Sequence, residues 1–138
     1  FHPDPNHPGS PRGGARPFHT IIPGFMTRNQ EAEMAFGVMG GPMQAQGHLQ
    51  LVARCLLAGQ NPQEAMDAPR WRLFGGLTLE VEPDISPTVM SDLAALGHEV
   101  TLANARTVRF GGGQAIQRHG DAWIGASDSR RDGQAVGF

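Results

Sequence analysis

The residues best suited to chemistry lie in the stretch FGVMGGPMQAQGH (36–48). There an apolar run ends in Gly40 and Gly41, then a proline, before a long apolar segment begins. With no Cβ to block approach, the backbone N–H groups of a glycine pair at a strand end lie open to a ligand. Such donors stabilise the oxyanion that develops in acyl transfer, or hold a carboxylate. A helix start close by adds a partial positive charge. Taken alone, the plain reading of the pair is a turn that needs positive φ.

Other residue types are less telling. His19, flanked by Phe18 and Thr20 in a β-branched stretch, is either half-exposed or directed at a pocket. Arg16, before Pro17, is of a type that binds carboxylates, although an ordinary surface arginine is the plainer reading. The six histidines are scattered, without HxH or HExxH spacing, so no metal site is expected. His48, near a helix start, reads as a capping or surface group. No GxSxG elbow is present, and Ser127-Asp128-Ser129 in GASDSRRDG reads as a turn.

The elements that must position these residues follow from periodicity and punctuation. FHTIIPGFMT (18–27) predicts a strand with a Pro-Gly break, and EMAFGVM (33–39) a second strand, so 18–39 reads as a hairpin turning at RNQE. From Gly47 the pattern becomes helical, with Leu49, Val52, Ala53, Leu56 and Leu57 on one face and Gly59 as the stop. Asn61-Pro62 caps a short helix to Ala68, and Pro69 ends it. LTLEVE (77–82) is a strand, Ser86-Pro87 opens a helix over 87–96, and HEVTL (98–102) is a short strand. GGGQAIQRHGDAWIGASD predicts strand, turn at His119-Gly120-Asp121, and strand. The order β-β-α-α-β-α-β-β-β is that of an α+β fold with mostly antiparallel pairs.

Composition sets the bounds. A chain of 138 residues, 39% hydrophobic and 17% charged, suffices for one domain with a true core. Net charge −2 and pI near 6.3 give no basic surplus for nucleic acid. No run approaches a membrane span, and no cofactor motif is present. The single cysteine, Cys55, excludes an internal disulfide and reads as a buried structural thiol. The compartment is left open, with a cytoplasm favoured over periplasm or secretion. Residues 1–17 hold five prolines and three glycines and are expected to form a loop or tail.

The wording of the motifs adds a resemblance. RPFHTIIPGF (16–25), FGVMGGPMQAQGH (36–48), NPQEAMDAPRW (61–71), LEVEPDISPTVMSDLAALGHEV (79–100) and FGGGQAI…GASDSRRDGQAVG (110–137) occur in one order. Together they resemble the C-terminal part of the small subunit of γ-glutamyltranspeptidases, over residues 18–138, and most closely its bacterial γ-glutamyltranspeptidase-like, acylase-related branch. The resemblance implies part of an N-terminal-nucleophile hydrolase, an α-β-β-α sandwich. In that family a precursor cuts itself ahead of a threonine, which then attacks a γ-glutamyl amide. The acyl group passes to water or to an amino acid.

Residue by residue, the resemblance implies that Gly40 and Gly41 supply the oxyanion donors. His19 and Thr20 fall where typical members carry two serines that bind the substrate carboxylate; Thr20 keeps the hydroxyl and His19 departs. Met39 stands where the typical enzyme has proline. The nucleophilic threonine has no counterpart here and is expected upstream. The chain is therefore expected to be a fragment, inactive alone, whose partners are the large-subunit fragment and the upstream part of the small subunit. Alternatives on the same fold are a cephalosporin-type acylase, a poly-γ-glutamate-processing enzyme, or a non-catalytic domain.

Overall fold

Alternation along the hairpin builds the first sheet. A computed structural model describes residues 2–17 and 19–137. Strand β1 (Gly24–Arg28) runs antiparallel to β2 (Glu31–Met39), and Asn29 and Gln30, both at positive φ, make the two-residue turn. The strand expected from Phe18 begins only at Gly24, and Phe18 itself lies outside the described residues. Residues 19–23 carry no strand, because Pro23 has no N–H to donate to a ladder. Residues 2–17 form turns without helix or strand.

Helices α1 (Met43–Leu56) and α2 (Pro62–Asp67) follow. Strands β3 (Trp71–Gly75) and β4 (Thr78–Val81), helix α3 (Pro87–Ala95) and strand β5 (Glu99–Leu102) form the middle. Strands β6 (Gly112–His119) and β7 (Ala122–Ser127) close the order, turning at Gly120-Asp121 as expected. One antiparallel sheet has the order β1-β2-β6-β7. The other is β3-β4-β5, with β4 and β5 parallel and α3 as the crossover. The α+β class is as the sequence suggests. Helix α2 carries the expected cap, with Asn61 accepting from the Glu64 N–H and Glu64 accepting from the Asn61 N–H.

Two further features differ from the sequence reading. Helix α1 starts at Met43, not Gly47, and buries Met43, Gly47, Gln50 and Leu51, leaving Leu49, Leu56 and Leu57 exposed. The reason is close approach: a Cβ on Gly47 would stand 2.5 Å from Val38 Cγ1, so glycine sets the face that meets β2. Strand β3 was not foreseen. Its exposed edge is paired by glutamine side chains of α1 instead of by a strand. Gln50 donates to the Trp71 carbonyl at 2.9 Å and accepts from the Trp71 N–H at 3.0 Å. One turn earlier, Gln46 donates to the Leu73 carbonyl at 3.1 Å and accepts from the Leu73 N–H at 2.7 Å. Gln63 does the same for Ser127 on the outer edge of β7.

Met34, Val38, Leu51, Ala65, Met66, Ala115 and Ala126 form the core between the first sheet and the two helices. Cys55 packs against it, partly buried, and burial raises its thiol pKa.

Beside this core lies a buried quartet of charges, Arg70, Glu82, Asp128 and Arg130, each side chain at most 2% accessible. Arg70 donates to Asp128 at 2.6 Å, and Arg130 donates to Asp128 at 3.0 Å and to Glu82 at 2.7 Å. Remaining donors meet main-chain oxygens: Arg70 at Phe110 and Gly111, Arg130 at Met66 and Ala68. Asp128 also accepts from the Gly113 N–H at 2.9 Å. Burial pushes the Asp128 pKa up, but Arg70, the Arg130 N–H and the Arg130 charge outweigh it and hold the carboxyl below its ordinary value.

Removing one member leaves uncompensated buried charge. Asp128→Ala is expected to cost about 3–5 kcal/mol, measured by urea unfolding, or to prevent accumulation of folded protein. A loss below about 1 kcal/mol would show that water reaches the site.

Candidate functional site

The glycine pair occupies the sharp turn between β2 and α1. Gly40 and Gly41 adopt φ 144° and 59°, and both are exposed. Their carbonyls close the turn, accepting from the Met43 N–H at 3.1 Å and the Gln44 N–H at 3.0 Å. Neither glycine N–H donates a hydrogen bond outside the strands and helices, among the described residues. The turn thus leaves two unused donors at the start of a 14-residue helix.

Support for the turn comes from behind. A Cβ on Gly40 would lie 3.2 Å from the Gly111 Cα, and a Cβ on Gly111 would lie 3.0 Å from the Met39 oxygen. Gly111 is held in turn by Arg70 of the buried quartet. The strand end is also held by His48, whose Nε2 accepts from the Val38 N–H at 3.0 Å while its ring packs on Phe36. Strand β1 begins only at Gly24, opposite Phe36, so His48 takes the place of a missing strand partner at Val38. It is not the capping or surface group expected from its position.

The remaining sequence-based candidates divide. Thr20 is brought to the glycine turn: its carbonyl accepts from Gln44 Nε2 at 2.9 Å, in the first turn of α1. His19, adjacent and exposed, makes no side-chain hydrogen bond among the described residues. Beside them runs an apolar groove of about 230 Å³, lined by Ile21, Ile22, Met39, Gln44 and Gln114. Arg16 is not brought in; it lines a small hollow formed within residues 8–17. A larger hollow near 420 Å³ lies at the opposite end of β2, where Arg28 pairs with Glu33 and Arg118 with Glu31 in exposed ion pairs. Among the described residues no three His, Cys, Asp or Glu side chains cluster as a metal site, and no helix is long and apolar enough to cross a membrane. Sequence reasoning missed Gln44 and Gly111; the signals were a glutamine in the first turn after the glycines, and the run Gly111–Gly113.

Two sheets with helices over one face and this strand–glycine–helix turn define part of an N-terminal-nucleophile hydrolase sandwich. The solved cephalosporin acylase of Bacillus halodurans matches it with TM-score 0.84 and 40% identity, over 98% of this chain and 25% of that one. The family description "Gamma-glutamyltranspeptidase" matches residues 1–138, and the chain belongs to the γ-glutamyltranspeptidase family. It is similar to the oxamate amidohydrolase proenzyme of Klebsiella pneumoniae, 34% identical over 98% of this chain and 27% of that protein. It is also similar to the glutathione hydrolase-like YwrD proenzyme of Bacillus subtilis, 30% identical over the same shares. The chain spans about a quarter of the length of these relatives.

Burial lowers the His48 pKa. Protonation would also put a proton on the nitrogen that accepts the Val38 N–H. The unfolded chain binds this proton more readily, so its contribution to stability is complete above the unfolded value of about 6.5 and is lost as pH falls below it. The urea midpoint should therefore fall from pH 7 to pH 5 more steeply in the wild type than in His48→Gln. Parallel profiles would contradict this role.

Proposed function

We propose that this chain is the oxyanion-bearing segment of an amide-cleaving acyl-transfer enzyme. The observation that carries the reading is the pair of unused, Cβ-free N–H groups at Gly40 and Gly41. The reaction is read as attack by the hydroxyl of an N-terminal threonine, supplied by the upstream part of the protein, on an amide carbonyl. Its own α-amine takes the proton. The tetrahedral oxygen gathers negative charge against the glycine N–H groups, which need no reorganisation to receive it. The amine leaves with the proton, and the acyl ester passes to water or to an amino acid. The large-subunit fragment and the rest of the small subunit complete the site.

γ-Glutamyl amides, glutathione included, are the substrate class placed first, with Thr20 on the carboxylate. A second reading has specific support. His19 stands where typical members carry serine, and two similar proteins are named an oxamate amidohydrolase and a cephalosporin acylase. On that reading the acyl group is another small carboxylated one. Comparing kcat/KM for γ-glutamyl, glutaryl and oxamate amides on the complete processed protein separates the two. Preference for γ-glutamyl sustains the first reading, and turnover of the others alone replaces it with the second.

Two substitutions in the complete protein test the roles. Gly41→Ala is expected to lower kcat by about 10²-fold, because the methyl group strains φ 59° and crowds the donor. An unchanged kcat would remove the oxyanion role. Thr20→Ala should raise KM for carboxylate-bearing substrates; an effect confined to kcat would place Thr20 elsewhere in the reaction.

A further inference from the structure

We propose that Gln44 is a positioning residue that sets the distance between the carboxylate-binding segment at His19-Thr20 and the oxyanion turn at Gly40-Gly41; this rests on the reading of those two subsites given above. A substrate with a carboxylate at one end of its acyl group and a scissile amide at the other must be held at both. The protein parts that hold them are 20 residues apart in sequence, and the first has no secondary structure of its own.

Gln44 is bonded to both. Its backbone N–H donates to the Gly41 carbonyl at 3.0 Å, and its side-chain Nε2 donates to the Thr20 carbonyl at 2.9 Å. Residues 19–23 are exposed and precede β1, so this bond is their one hydrogen-bonded tether to α1 among the described residues. Gln44 differs in this from Gln46 and Gln50 on the same helix, which spend both ends of their amides on β3. Its contact is to the Thr20 main chain, which leaves the Thr20 hydroxyl free for a ligand. A shift of the segment by an ångström would misplace that hydroxyl relative to the glycine donors while leaving both intact.

The test uses the complete processed protein carrying Gln44→Met, which keeps the side-chain length and removes the donor. Gln44→Glu serves as a second variant that cannot donate when ionised. For a carboxylate-bearing substrate, KM should rise about tenfold with kcat little changed, as expected for one net hydrogen bond used in binding. For a matched amide lacking the carboxylate, kcat/KM should not move. In a Thr20→Ala background the Gln44 variants should add little, because the group they position is gone. Losses that add in full to those of Thr20→Ala, or that fall equally on the substrate without a carboxylate, would overturn the positioning role while leaving the Thr20 subsite standing. A Thr20→Ala protein with unchanged KM would overturn the subsite, and the Gln44 proposal with it.

Discussion

The buried quartet of Arg70, Glu82, Asp128 and Arg130 is the interaction on which the rest of the structure depends. Two positive and two negative groups sit together at the ends of both sheets, with side chains essentially closed to solvent. Burial of each charge is costly, and the arrangement holds because every charge faces an opposite one and further donors reach main-chain oxygens. Those oxygens belong to Met66 and Ala68 at the end of α2 and to Phe110 and Gly111 before β6. Glu82 follows β4, and Asp128 and Arg130 follow β7. One knot of charge therefore fastens the second sheet, α2 and the first sheet together.

Its reach extends to the glycine turn. Arg70 holds the Gly111 carbonyl, Gly111 stands against Gly40, and the turn so supported leaves two N–H groups unused among the described residues. From the other side, His48 holds the Val38 N–H just before the turn. Support from both sides suits the oxyanion role proposed for the turn, since donors that must reorganise lose most of their effect. The exposed leucines of α1 and the exposed face of α3 belong to a chain that spans about a quarter of its relatives' length.

Local punctuation made much of this legible in the sequence. The Asn61-Pro62 start of α2, the turn at Gly120 and the glycine pair after an apolar run all signal their geometry within a few residues. What was not legible depends on partners distant in sequence. Arg70 and Asp128 are 58 positions apart, and charged residues are by default placed on the surface. Asp128 therefore read as a turn residue, and only an acid and a base two apart directly after a strand hinted otherwise. Strand β3 was hidden because its edge is paired by Gln46 and Gln50, which no strand period reveals. The buried face of α1 was misjudged because it is set by Gly47, which meets Val38 with Leu51 beside it, and not by the face of Leu49 and Leu56 that the spacing suggests. Within the site, Gly40, Gly41 and Thr20 were visible as residues, but the Gln44 bridge between them was not.

The most direct measurement is a crystal structure of the complete processed protein trapped as its acyl-enzyme. The account predicts the acyl carbonyl oxygen within about 2.7–3.1 Å of the Gly40 or Gly41 nitrogen. An acyl oxygen held by other donors, with both glycine N–H groups turned away from it, would contradict it.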